Sequence, residues 1–423
     1  MTLVQKFKKR FYFVAAGYFR FFARRALRRW RPRIIAITGS VGKTTMLHLV
    51  EGTLGSKAHY SHDANSAFGV AFDLVGLKGI YGSKLRWFYL IFAVPIRSIF
   101  YKHTEEFYVV EIDGERPHEA EFLATWLKPE VTLWISLGRS HAVQFDQQVK
   151  NGIFKDIDSA IAHEFATIPA NTTKRVYIDG DIPLMVENTA GISAEIIPVY
   201  LEKLKKYSIY PDHTEFTIDD HTFYFAQPQP RALAIQLMIL TDLAKYLKIP
   251  LETDFSDLPV PPGRCSYFEG KNGLKLIDSS YNAHLISVTS ILEMTSDMSV
   301  KHKWLVLGDM VEQGSIESEE HTKLADVIAK VHPEQVILIG RRTKEYTAPI
   351  LKEKGIATYT TNDPREALQF IEKHTTGKET LVFKGSQYLE WIIEKLLKNP
   401  DDAKKLPRRE AAAVKRRAKR GLN

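Results

Sequence analysis

The chain has a single cysteine, Cys265, among 423 residues. That excludes an intramolecular disulfide and a zinc site built from cysteines, and it suits a reducing compartment. Cys265 itself reads as a small buried residue or a bystander. The sequence shows no internal repeat and no low-complexity tract, so neither a fibre nor a disordered chain is indicated. Acidic residues are missing from the first 33 positions, which carry eleven Lys or Arg, and the last fifteen are again strongly basic. The formal charge of +8 is therefore unevenly placed: the two ends are basic and the long middle is net acidic.

The leader also lacks what a membrane span or a secretory signal requires. Its apolar run, Phe11 to Phe19, falls short of the ~20 residues that cross a bilayer. No small-residue cleavage site follows it. Aromatics interleaved with arginine suit a helix lying on anionic lipid, rings in the headgroup region and cations on phosphates. A helix packed on the protein's own body with a solvated basic face accounts for the same pattern. The tail, PRREAAAVKRRAKRGLN, reads as a disordered basic extension with weak affinity for lipid or RNA, and no specific nucleic-acid partner is expected.

The length exceeds what one hydrophobic core usually serves, so two domains with appendages are expected. Strand-like segments IIAIT, FYVVEID, VTLWISL and KRVYID alternate with helical ones, the pattern of an α/β domain with a mainly parallel sheet. Residues 192–226 alternate with turn residues and read as a small antiparallel patch. The prolines Pro259, Pro261 and Pro262 mark a hinge. Beyond it LKLIDSS, KWLVLGD, QVILIG, ATYTT and ETLVFKGS, each separated by a helix length, predict a smaller Rossmann-like α/β domain. The expected division is a leader over 1–33, a central domain with a phosphate loop over 34–260, a C-terminal domain over 261–400 and a basic tail over 401–423.

Gly39-Ser40-Val41-Gly42-Lys43-Thr44 follows a strand and opens a helix, the context a phosphate-binding loop needs. Glycines let backbone N–H groups converge on phosphate oxygens, Lys43 neutralises the terminal phosphates, and Thr44 can ligate magnesium. The longer form of the pattern wants glycine where Ile37 stands. Glu111 closes an apolar strand, where its carboxylate can reach a magnesium held by Thr44. His141 lies just past another strand end, at the carboxyl edge where open α/β sheets bind ligands.

With these residues in hand, the sequence resembles the Mur ligase family of ATP-dependent amide-forming enzymes, most closely its branch that adds D-alanyl-D-alanine to a UDP-muramoyl tripeptide. The resemblance runs from about residue 34 to 397. TGSVGKTT is similar to the family's phosphate loop, HDANSAFGVAFDL to its asparagine-containing substrate loop, and VVEIDGERPHEAEFLATWLKPEVTLWISLGRSH to its magnesium-binding block. PPGR followed by LIDSSYNAH resembles the linker and first strand of the last domain; LGDMVEQG, His321 and FKGS complete the order.

The resemblance implies ATP and Mg2+ as cofactors. ATP would be held by Gly39 to Thr45 (Gly39, Ser40, Val41, Gly42, Lys43, Thr44, Thr45) with Arg264 and Asp278, and the metal by Thr44, Glu111 and His141. Lys43, Glu111 and His141 would serve catalysis, and Asn65, Asn282, Lys384 and Ser386 would contact substrate. The implied reaction passes through an acyl phosphate that an amine then captures. The partners would be a cell-wall peptide precursor and an amino acid or dipeptide amine, in the cytoplasm or at the inner membrane surface.

Several departures bear on substrate. The UDP-sugar-binding domain is expected to be absent, with the basic leader in its place. The helix that carries a carbamylated lysine in the family reads SAIAHEFATIP, with His163 and Glu164 as substitute ligands or surface residues and Lys155 one or two turns earlier. Asp179 and Asp181 occupy the adenine segment, and Gln387 stands where an arginine is common. A ligase for another polymer, polyglutamate or a pseudomurein-like peptide, and a membrane-associated nucleotide switch are the alternatives.

Overall fold

A computed structural model of the protein describes residues 3–62, 64–79, 84–114, 116–259 and 261–422. They group into two compact units. The first comprises Met1–Gly138, Gln147–Tyr200 and Met238–Leu251; the second comprises Arg139–Asp146, Leu201–Leu237 and Glu252–Asn423.

The first unit is built on a six-stranded, wholly parallel sheet of β1 (Arg33–Thr38), β2 (Ala58–Tyr60), β3 (Phe107–Ile112), β4 (Val131–Trp134), β5 (Arg175–Asp179) and β6 (Glu195–Val199), in the order β2-β3-β1-β4-β5-β6. The central strands β3 and β4 are buried throughout. Burial on both faces explains why they read as continuous apolar runs rather than as alternating ones. From β1 the chain moves first to one side of the sheet and then to the other. The carboxyl ends of β1, β3 and β4 therefore meet at the crossover point where such sheets bind ligands.

The leader forms one helix, Leu3–Trp30. Its face of Ala16, Phe19, Ala23, Ala26 and Leu27 enters the core of the first unit beside Phe68, Phe72, Leu90 and Val94. Tyr12 donates to the buried Glu119, and Trp30 Nε1 donates to Glu105 O at 2.7 Å. The second of the two readings of the leader is thus realised on this face: small residues at helical spacing let the helix approach closely, and the aromatic rings fill the gap. No helix among the described residues is long and apolar enough to cross a membrane.

The second unit holds a six-stranded sheet of β10 (Ser266–Glu269), β11 (Lys275–Asp278), β12 (Lys303–Gly308), β13 (Gln335–Ile339), β14 (Thr358–Thr361) and β15 (Thr380–Lys384), ordered β10-β11-β15-β12-β13-β14. Only β10 runs antiparallel, as a hairpin arm on β11. A separate antiparallel sheet of β7 (Leu204–Ile209), β8 (Thr214–Ile218) and β9 (His221–Phe225) joins the same unit.

Three expectations change. The antiparallel patch was expected from residue 192, but its first strand, β6, pairs in parallel with β5. The EIIPV segment is apolar enough for a sheet flank, and alternation could not tell its partner. The single boundary after residue 260 gives way to discontinuous units, because Ile209 and Tyr207 pack into the core formed by Cys265, Ile277 and Leu305. The tail is ordered. Helix Ala411–Ala418 is held by Arg409 and Arg417, both on Glu394 at 2.7 Å, and Leu406 and Leu422 are buried. A run of cations looks solvated until the acid that neutralises it is known.

Phe19→Ala should cost about 3–5 kcal/mol in urea unfolding, since Phe19 is 1% exposed with its ring 4.9 Å from that of Phe72. A cost near zero would remove the leader from the core.

Candidate active site

The loop after β1 owes its shape to two glycines with positive φ, Gly39 at 137° and Gly42 at 84°. A Cβ on Gly39 would lie 2.8–2.9 Å from the backbone and hydroxyl of Ser136, so only glycine lets the loop close on the segment after β4. Ser136 and Ser40 lace that closure. Val41 N donates to Ser136 Oγ at 2.9 Å, and Ser40 Oγ donates to Gly138 O at 2.8 Å. Helix Lys43–Leu54 begins directly at the lysine.

Lys43 is 9% exposed. Its ammonium donates to Gly39 O at 2.6 Å and pairs with Asp113 Oδ1 at 3.4 Å. Thr44 Oγ1 lies 3.5 Å from Glu111 Oε2, with Glu111 opposite Ile37 in the β1–β3 register. Asn65 reaches the same place. Its Nδ2 donates to Asp113 Oδ2 at 3.4 Å, and its carbonyl accepts from Asp113 N at 3.1 Å. Ser66 holds that turn by capping helix Ala67–Asp73 through Gly69 N. Gly39, Ser40, Val41, Gly42, Lys43, Thr44, Glu111 and Asn65 are thus gathered at one sheet edge.

Asp113 is the residue that the sequence reading missed. It lies two positions beyond Glu111 in the same EID segment, so the period-2 alternation of a strand directs both carboxylates to one side. Ser136 left no such signal; only the closeness of Gly39 reveals it. The hard oxygen donors Thr44, Glu111 and Asp113 suit Mg2+ chemically.

Glu164 is neither a surface residue nor available as a ligand. It is 5% exposed, and its two oxygens accept from His118 N and Ala120 N at 2.8 Å each, capping helix Glu119–Leu127. Burial raises its pKa. His163 packs its ring 5.1 Å from Phe154, and Lys155 is exposed. Asp179 is half-buried and accepts from Asp181 N, and burial pushes its carboxyl up to about 6.

In the second unit, His141 has a left-handed backbone, φ 51°, and its Nδ1 lies 2.9 Å from Glu312 Oε2. Its ring is 5.7 Å from that of His284. Arg264 stacks on Tyr281 at 5.0 Å. Asp278 at the end of β11 is fully buried, and Oδ1 accepts from Ser280 N at 2.9 Å. Burial pushes its carboxyl up to about 6. Lys384 is also buried, and desolvation lowers its ammonium to about 8. The Cys265 thiol is raised to about 11, so it stays protonated. Asn282 is exposed beside Tyr281.

Two residues of the last domain are bound up with its backbone. Ser386 Oγ donates to Asp309 O at 2.8 Å, where a Cβ on Gly308 would meet Ser386 O at 2.0 Å. His321 is fully buried with a lowered pKa from desolvation; Met310 N donates to Nε2, which fixes the neutral tautomer with Nδ1–H directed at Glu317 O. Gln387 and Tyr388 both have positive φ, 76° and 64°.

Residues 263–387 match the family described as Mur ligase, glutamate ligase domain. The UDP-N-acetylmuramoyl-tripeptide–D-alanyl-D-alanine ligase of Bacillus subtilis is 24% identical over 384 residues, covering 87% of this chain and 76% of the relative. Residues 263–387 therefore carry a Mur ligase C-terminal domain, and over most of its length the chain is similar to ligases of that name. The ligase of the same name from Escherichia coli is 20% identical over 392 residues, 87% of this chain and 77% of that protein. Among solved structures, the MurF ligase of Thermotoga maritima in complex with ADP superposes with a TM-score of 0.69 at 18% identity, covering 90% of this chain and 83% of the other. MurF of Acinetobacter baumannii gives the same TM-score, 0.69, at 18% identity and 91% and 81% coverage. The Mur ligase fold thus extends over both units.

For Asp278 the unfolded chain titrates near the ordinary 3.8 and the folded protein near 6. Between those values the folded state holds the extra proton, so stability falls as pH rises through the window. Relative to wild type, Asp278→Asn should therefore gain on the order of 2 kcal/mol between pH 4 and pH 7 in urea unfolding. A pH-independent difference would contradict the raised carboxyl.

Proposed function

We propose that this chain is a Mur ligase, an ATP-dependent, ADP-forming amide ligase that adds D-alanyl-D-alanine, or an amino acid, to a cell-wall peptide precursor. The observation that carries the proposal is the convergence of Lys43, Asp113, Thr44, Glu111 and Asn65 on the glycine loop at the carboxyl ends of β1 and β3. The curated relatives are ligases of the UDP-muramoyl tripeptide and D-alanyl-D-alanine, and a solved relative holds ADP.

The chemistry assigned here has two steps. A carboxylate oxygen of the acceptor attacks the γ-phosphorus of ATP, the bond to the β-phosphate oxygen breaks, and ADP leaves from an acyl phosphate. The amine then adds to the acyl carbon, and the tetrahedral adduct collapses with loss of inorganic phosphate and a proton. Lys43 places its charge where the transferring phosphoryl becomes more negative, and Asp113 keeps that ammonium aimed along the loop. The backbone N–H groups of residues 39–44 bind the remaining phosphate oxygens. Thr44 and Glu111 are assigned to Mg2+ with His141; when bound, the ion neutralises phosphate charge. Asn65 is assigned to the acceptor, Arg264 and Asp278 to the nucleotide, and Asn282, Lys384 and Ser386 to substrate. A buried lysine with a lowered pKa suits a carboxylate or phosphate partner.

Lys43→Ala, Glu111→Gln, Asp113→Asn and His141→Ala should each lower turnover by roughly 100-fold or more with folding intact, followed as ADP release in the presence of acceptor and amine. Undiminished turnover in any variant removes that residue's role. Mass spectrometry of the product formed from ATP, UDP-muramoyl tripeptide and D-alanyl-D-alanine tests the substrates; condensation with polyglutamate-type acceptors alone would move the assignment to another polymer. Hydrolysis without any condensed product would overturn the ligase reading.

A further inference from the structure

Helix Lys84–Phe100 is built inside out for a protein surrounded by water. Its sequence, KLRWFYLIFAVPIRSIF, turns Leu85, Phe88, Tyr89, Phe92, Ile96, Ile99 and Phe100 outward at spacings of three and four, an apolar stripe along the whole element. Phe88, Phe92, Ile96 and Phe100 are 67%, 58%, 57% and 73% exposed. Arg86, Arg97 and Ser98 turn the other way. Arg97 donates to Val75 O and Gly76 O, Arg86 donates to Gly79 O and Lys78 O, and Ser98 is 1% exposed.

The leader helix lies against this element. Tyr18 Oη donates to Ile91 O at 2.8 Å, and Arg29 donates to Ser98 O and Ile99 O. Opposite the face that enters the core, the leader exposes Val14, Tyr18 and Phe21 and then, at the same helical spacing, Arg25 and Arg28. Among the described residues neither of those arginines pairs with a carboxylate. The two helices contain no Asp or Glu.

We propose that this double-helix face is a monotopic membrane-binding surface. It would seat the rings of helix Lys84–Phe100 among the acyl chains and headgroups of an anionic phospholipid bilayer, with Arg25 and Arg28 on lipid phosphates. The charge decides the occupant. A second copy related by two-fold symmetry would oppose the acid-free face to itself, cation to cation. A bilayer rich in anionic lipid offers both the apolar depth and the compensating charge. The face lies outside the groups assigned to catalysis, so the surface stands or falls independently of the ligase reaction.

The test uses the full chain in vesicle flotation, with phosphatidylcholine alone and with equal parts phosphatidylcholine and phosphatidylglycerol. Wild type should float with the anionic vesicles roughly tenfold more tightly than with the neutral ones, and salt should weaken the difference. Phe88→Glu with Phe92→Glu, both on the open face, should abolish flotation while leaving the thermal unfolding curve and ligase turnover in solution unchanged. Arg25→Glu with Arg28→Glu should remove the anionic preference and leave residual apolar binding. If wild type fails to float, or floats equally with and without the two glutamates, the surface is not a lipid site. A stable dimer in light scattering that the Phe88 and Phe92 substitutions dissolve would likewise overturn the proposal in favour of a protein interface.

Discussion

An ammonium group taken out of water needs a partner for every hydrogen it directs inward, and the geometry around Lys43 is set by that requirement. Gly39 O and the Asp113 carboxylate meet it from just beyond the ends of two strands, β1 and β3. Gly39 must be glycine for the loop to lie against Ser136, and Asp113 must follow β3 in register for its carboxylate to arrive. Asn65 is drawn in because Asp113 has a second oxygen to satisfy. Loop, strand end and the turn of Asn65 are thus coupled through one buried charge.

The leader couples to the same region through a different physics. Tyr12 bonds Glu119, whose carboxylate also receives Ala67 N at 3.0 Å, the first residue of the helix after Asn65. Glu164 in turn caps the helix that carries Glu119. Three acids in the first unit, Asp113, Glu119 and Glu164, therefore act as internal fasteners of backbone and side chain. Each is buried, and each is affordable only because the groups it accepts from are fixed by neighbouring elements.

Much of this was open to reading. The glycine loop, the strand-end Glu111 and the alternation of strands with helix lengths were visible because a phosphate cradle needs particular residue types at fixed spacing, and buried parallel strands need continuous apolar runs. What escaped was non-local. Asp113 was within reach through the alternation of a strand, but Ser136 had no local signature, and Glu164 looked like one more polar residue on a helix. The tail looked disordered because its acids, Glu390 and Glu394, lie in another helix.

Helix Lys84–Phe100 marks the limit most clearly. Its sequence alone is that of a core helix, apolar almost all round with a few cations. Only the fold turns Arg86 and Arg97 inward to backbone carbonyls and leaves the aromatic stripe facing out. The amino-acid sequence determined which segments become strands, where the glycine loop sits and which family the chain resembles, since those depend on residues a few positions apart. Which acids bury themselves against which amides, and which apolar face is left without cover, was decided by tertiary structure, because burial is a property of what packs against a residue and not of the residue.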